Sequence, residues 1–232
     1  GYSSAASDVY KRQVWDAANT AYINSDYHRA IDAYRQLILR GYASDKLYYN
    51  LANAYFKVGR YGKAILYYNR ALRLAPGDAD IRYNLDVANT FTKDKIAVVP
   101  EFFLKGWVRS VRMSLGCTAW SVVSLAALAL LFALVLLYLL AGRLAWRKAG
   151  FYGTLAMLLV FVASTSFAVT ERRELLDSTE AVVMSSSVSV KSSPDKASTD
   201  LFVLHEGTKV RTVSELGDWR EIVIADGKKG WV

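Results

Sequence analysis

The stretch that most constrains this chain is residues 113–142, which hold no charged residue between Arg112 and Arg143 and whose centre is almost wholly Leu, Ala and Val. About 20 apolar residues in a helix cross ~30 Å of hydrocarbon, and a small soluble core has no use for so long a helix that is apolar all round. A second uncharged run, residues 149–170, follows a short basic link with Arg143, Arg147 and Lys148. Together they predict a transmembrane hairpin, with spans at 118–141 and 150–170 and a loop at 142–149. Two crossings leave both flanking segments on one side. The basic link favours a cytoplasmic loop and extracytoplasmic flanks, against which Lys105, Arg109 and Arg112 before the first span and Arg172 and Arg173 after the second also count. Trp120, Tyr138, Trp146 and Tyr152 fall where interfacial aromatics belong. Ala126, Ala129 and Ala133 mark a face for close helix approach, expected to support association with other membrane subunits.

The net charge of +8 would suggest nucleic acid in a soluble chain. Here many basic residues flank the spans and no nucleic-acid motif accompanies them, so contact with anionic lipid headgroups is the expectation and nucleic acid is not. The single Cys117 forms neither an intrachain disulfide nor a metal site by itself. His28 and His205 have no Cys, Asp or Glu neighbour at metal-ligand spacing and are expected at the surface. There is no Gly-x-Ser-x-Gly, no phosphate loop and no His-Glu-x-x-His. Glu171, Glu174, Asp177 and Glu180 read as one solvated face of a helix leaving the membrane. Neither span holds an ionisable residue, which argues against an ion path. The expectation is therefore no enzyme, no cofactor and no small-molecule substrate. The chain begins at Gly1 without an apolar leader, so any export signal is expected to precede it or to have been removed. Residues 1–13 are expected to be irregular.

The segment before the membrane repeats itself. At an offset of 34 residues, Ala18, Asn19, Tyr27, Ala30, Ile31 and Tyr34 become Ala52, Asn53, Tyr61, Ala64, Ile65 and Tyr68. A third copy starts with Tyr83, Asn84, Leu85 and Ala88 and keeps only its first helix, over about 80–92. The middle copy carries Tyr48, Leu51, Ala52, Tyr55, Gly59, Tyr61, Ala64, Tyr68, Ala71 and Pro76, which resembles the tetratricopeptide repeat. Small Ala52 and Ala64 let paired helices approach, Gly59 and Arg60 supply a turn, and Pro76 with Gly77 ends a helix. The repeat domain is placed at 14–93 and a connector at 94–117.

In such arrays the first helix of each repeat lines a concave face. In register, that face holds Arg12, Trp15, Asn19 and Tyr22, then Lys46, Tyr49, Asn53 and Phe56, then Asp80, Tyr83, Val87 and Thr90, with Asn50 and Asn84 beside it. Amides both donate and accept, so they suit an extended peptide backbone. Resemblance to peptide-binding tetratricopeptide proteins implies that role for Asn53 and Asn84, although Tyr49 stands where a carboxylate clamp would have lysine. The alternative is that the asparagines bridge neighbouring helices.

After a linker at 171–180 the helical period stops. Short alternating runs at 181–184, 187–191, 201–204, 209–213, 219–224 and 230–232, separated by Gly and Asp turns, predict strands. The string resembles the bacterial SH3-like barrel, covering 181–232, with Phe202, Trp219 and Trp231 as its expected core. The module has no tyrosine, so recognition of Pro-rich peptides is not expected.

The fold class expected is thus an all-α tetratricopeptide solenoid, a two-helix transmembrane hairpin and a small all-β SH3-like barrel. That order, together with the text at 48–89, resembles the BatE family of the Bacteroides aerotolerance operons. The resemblance implies a two-pass scaffold of the bacterial inner membrane with periplasmic soluble domains. It also implies oxidative-stress tolerance, and partners of the von Willebrand A-type and a MoxR-type ATPase system. The alternative function is an envelope sensor or cell-wall-binding module whose SH3-like domain grips peptidoglycan or another envelope ligand.

Overall fold

The structure, a computed structural model, describes residues 2–96, 102–176 and 179–232, with residues 2–7 as backbone. It divides into two compact units. One joins Gly1–Glu101 with Ser178–Val232 and the other is Phe102–Asp177.

The first unit opens with five helices: α1 Tyr2–Ile23, α2 Tyr27–Leu39, α3 Asp45–Lys57, α4 Tyr61–Leu74 and α5 Ala79–Thr90. Three of them start at polar caps, where the Asp26, Ser44 and Asp78 side chains accept from the backbone N–H groups of Arg29, Leu47 and Ile81. The fully buried alanines Ala18, Ala30, Ala52, Ala64, Ala71 and Ala88 lie inside the helical core, where they leave room for neighbouring helices to approach. The half-repeat expected at 80–92 is α5. The expectation of an irregular segment at 1–13 is corrected, because α1 is helical from Tyr2 onward. No Gly or Pro interrupts residues 2–40. The Arg40 guanidinium also lies 3.7 Å from the Tyr10 ring centre, and Lys11 sits over Tyr42, so the early turns of α1 are tied to the end of α2.

Six strands follow late in the chain: β1 Glu180–Val182, β2 Ser187–Lys191, β3 Asp200–His205, β4 Lys209–Leu216, β5 Trp219–Val223 and β6 Lys229–Trp231. They form one antiparallel sheet in the order β1-β4-β5-β6-β2-β3. The sheet ends at β1 and β3 and does not close, in contrast to the expected barrel. β1 is only three residues long and lies beside α4, where Ala181 and Val182 share a cleft with Leu66, Asn69 and Arg70. A helix thus covers one edge of the sheet, which removes part of the need for closure. The core is aliphatic, with Val190, Leu204, Val210, Ile222 and Ile224 buried and Phe202 packed against them. Trp219 and Trp231 are only half-buried and lie outside this core. Trp219 directly follows the hairpin tip, opposite Leu216, and Trp231 pairs with Glu221 on a three-residue strand.

The chain after α5 joins helices and sheet. Ile96 packs on the sheet core and Val182 on the helical core. Gly207, in the β3–β4 turn at φ 93°, brings its backbone against α4 and the chain after α5: a Cβ there would meet the Thr92 methyl at 2.6 Å and Ile65 at 3.1 Å. Of the connector expected at 94–117, residues 97–101 lie outside the described residues. Its later part is helical.

The second unit contains α6 Phe103–Met113, α7 Cys117–Leu140 and α8 Leu144–Leu176. α7 and α8 are both long and apolar enough to cross a membrane. Helix α8 begins at Leu144 and runs to Leu176, so the loop expected at 142–149 shrinks to the residues around Arg143, and the expected linker at 171–180 is helical as far as Leu176. The α7–α8 seam uses Ser124, Ala127, Gly150 and Ser164, all buried, with a 2.7 Å bond between the Ser124 and Thr165 hydroxyls. Ala126, Ala129 and Ala133, expected to support association with other membrane subunits, lie on the exposed side of α7, away from this seam. A Cβ on Gly150 would stand 2.7 Å from the Tyr138 backbone nitrogen, so glycine sets the distance between the two helices. The expectation that Glu171 belongs to a solvated face is also corrected. It is buried, and Arg112 bridges it and Glu174 at 2.6 and 2.9 Å.

Candidate functional site

The site is built on the repeat period. On α1, Asn19 presents its carbonyl oxygen to the Tyr34 hydroxyl of α2 at 2.6 Å and to the Asn50 amide of α3 at 3.3 Å. One period later, Asn53 on α3 accepts from the Tyr68 hydroxyl of α4 and, at 3.2 Å, from the Asn84 amide of α5. Asn84 also donates to the Tyr49 hydroxyl at 2.8 Å. Each asparagine oxygen therefore ties three helices at one point. The tyrosines close it from beneath, for Tyr34 and Tyr68 are almost fully buried. Burial pushes the Tyr34 phenol up to about 12 and raises Tyr68 further.

Above the second knot lies a cavity of about 330 Å³ lined by Tyr22, Tyr49, Asn53, Phe56, Lys57, Tyr68, Asn84 and Val87. Its floor is rigid, and its walls are aromatic with one ammonium group, from Lys57. The oxygen of Asn53 is committed, but no described residue accepts from its amide nitrogen. No buried side-chain nitrogen or oxygen among the described residues lacks a partner, so this N–H group is open to the cavity. Such a wall offers apolar contact, a donor and a cation to an extended chain.

The predicted residues divide into four groups. Tyr22, Tyr49, Asn53, Phe56 and Asn84 come together around this cavity. Trp15 and Lys46 line a different one, of about 480 Å³, with Asp8, Lys11, Arg12 and Ser44. Asn19 and Asn50 hold the first knot. Tyr83 is exposed and lines neither cavity. Lys57 was missed, and its signal was its place four residues after Asn53 on the same helix face.

A second constellation was also missed. The Asp94 carboxylate accepts from the His205 backbone N–H at 2.7 Å and the Thr208 hydroxyl at 2.6 Å, and its other oxygen lies 2.7 Å from His205 Nδ1. Lys93 Nζ lies 2.9 Å from His205 Nε2, so the tautomer protonated on Nδ1 satisfies both sides. Burial raises the Asp94 pKa, but the hydrogen bonds from Thr208 and His205 outweigh it, leaving the carboxyl below its ordinary range. His205 is accordingly half-buried and structural, while His28 is exposed as expected. No local spacing links two residues so far apart in sequence.

Compared with known proteins, residues 46–78 match the tetratricopeptide repeat. The match covers α3, α4 and the turn beyond, the part that carries Tyr49, Asn53 and Phe56. The chain matches no curated protein. The chain thus carries a tetratricopeptide repeat within a helical repeat region, a separate antiparallel sheet, and two helices able to span a membrane. Repeats of this kind generally mediate contact between proteins.

Proposed function

We propose that the chain is a non-enzymatic, membrane-anchored scaffold whose concave repeat face receives an extended segment of a partner protein. The observation that carries this reading is the cavity over the Asn53 knot, which combines an aromatic wall, an open amide donor and Lys57 on a rigid floor. Extended peptides bind such surfaces through backbone hydrogen bonds and side-chain pockets. Helices α7 and α8 supply the anchor in a bacterial inner membrane, with the basic residues around Arg143 on the cytoplasmic side and both soluble parts outside. Resemblance to the BatE family supports a place beside von Willebrand A-type membrane proteins and a MoxR-type ATPase in oxidative-stress tolerance.

The test is photo-crosslinking in native membranes from a reactive residue at Lys57 or Val87. It should capture the same partner from both positions, and Lys57→Glu should reduce capture from Val87 several-fold. A reactive residue at the exposed Asp32 of α2 serves as control. Equal capture of that partner from Asp32 would remove the concave face from the mechanism.

A further inference from the structure

Helix α6 stands apart from the other helices of the chain because none of its residues is buried. Phe103, Trp107 and Leu104 are 76%, 64% and 51% exposed, an unusually apolar helix surface. At roughly 100° per residue, these three with Val108 and Val111 fall within one arc of about 140°, and Lys105, Arg109 and Arg112 occupy the next ~60°. The helix is sharply two-sided.

Its position is also fixed. The Trp120 indole N–H, in the first turn of α7, donates to the Arg112 carbonyl at 2.8 Å, and the Arg112 guanidinium holds Glu171 and Glu174 on α8. The C-terminal end of α6 is therefore pinned where the apolar part of α7 begins and that of α8 ends, with only Ser114, Leu115 and Gly116 between α6 and α7. The apolar stripe therefore starts from the level at which the apolar part of the hairpin begins.

We propose that α6 is an in-plane membrane anchor. Its stripe beds into the boundary between headgroups and acyl chains, with the basic edge toward the headgroups. This rests on the reading of α7 and α8 as membrane spans.

The test uses the full chain with Cys117→Ser, reconstituted in phosphatidylcholine–phosphatidylglycerol vesicles, with one spin label at a time through Trp107→Cys, Arg109→Cys or Leu130→Cys. Collision with oxygen and with a water-soluble nickel chelate is measured at each. The label at 107 should show an oxygen-to-nickel ratio several-fold above that at 109, approaching the label at 130 in the middle of α7. Equal and high nickel access at 107 and 109 would place α6 in water and overturn the proposal. Exclusion of both reagents at 107, with dipolar broadening between molecules, would assign the stripe to a second copy and overturn it too. Nickel access at 130 would instead defeat the membrane reading of the hairpin itself.

Discussion

Replacing Asn53 by alanine should weaken the repeat domain more than any exposed substitution, and the structure gives the size. The carbonyl oxygen of Asn53 accepts from Tyr68 and Asn84, and Tyr68 is only 2% exposed. Asn53→Ala leaves the Tyr68 hydroxyl without its acceptor on the floor of the cavity, at a cost of about 1–3 kcal/mol. Asn84 keeps its bond to the Tyr49 hydroxyl, so its loss adds about 1 kcal/mol at most. The total is about 1–4 kcal/mol, which for a domain of this size lowers the melting midpoint by on the order of 5–20 °C. Tyr68→Phe removes the donor while Asn53 keeps Asn84, and should cost about 1 kcal/mol. Combining the two eliminates the stranded hydroxyl, so the double variant should be less damaged than the sum by about 1–2 kcal/mol. Urea unfolding of the full chain in detergent, followed by helical circular dichroism, measures all three. The pair Asn19 and Tyr34, one period earlier, should repeat the result. A wild-type midpoint for Asn53→Ala, or strict additivity, would show that the knot does not join the helices.

Further consequences concern alkali, acid and the hairpin. Because burial raises the phenols of Tyr34 and Tyr68 above their unfolded value near 10, the stability they lend is complete below that value and is lost as pH rises through the folded one, about 12 for Tyr34. Spectrophotometric titration should show two of the tyrosines ionising only with loss of helix; ordinary titration of all of them would refute this. Asp94 behaves in the opposite sense. Its folded value is depressed, so its contribution is present above the usual carboxylate value of about 4 and fades as pH falls through the lower folded one. Limited proteolysis should accordingly find the sheet better protected at neutral pH than in acid, and Asp94→Ala should expose it at neutral pH, with about 2–4 kcal/mol lost from the stranded Thr208 hydroxyl and His205 N–H groups. Gly150→Leu should force α7 and α8 apart, since its side chain would meet the backbone at Leu134 and Tyr138. A disulfide engineered between positions 124 and 165, whose hydroxyls lie 2.7 Å apart, should form readily in the parent and much more slowly in this variant.

Much of this architecture was legible because it depends on local periods. The 34-residue offset placed α2 through α5, uncharged length placed α7 and α8, and alternation with glycine turns placed all six strands. The failures share a cause. The Tyr10–Arg40 contact, which extends α1, and the Arg112–Glu171 pair, which removes Glu171 from solvent, join residues with no common pattern. Closure of the sheet likewise depends on which strands become neighbours, and alternation does not encode that order. At the candidate site the sequence located the asparagines but left their task open. The offset shared by Asn19, Tyr34 and Asn50 with Asn53, Tyr68 and Asn84 was present in the letters, yet its meaning as a repeated three-helix knot appears only when the side chains are placed.

The contacts of Asp94 have a consequence for biogenesis. Asp94 leaves the ribosome before both apolar helices, whereas His205 and Thr208 follow them, so the carboxylate must wait for its donors until α7 and α8 have been made. The donors reach it only if the two helices cross the bilayer together or not at all, for a single crossing would strand them in the opposite compartment. A molecule with one helix misinserted would then leave the β1 edge of the sheet without α4 and Asp94 without its donors, a form open to proteolysis. On the proposed reading of α7 and α8 as membrane spans, the union of repeats and sheet would be completed only after both helices had been inserted together.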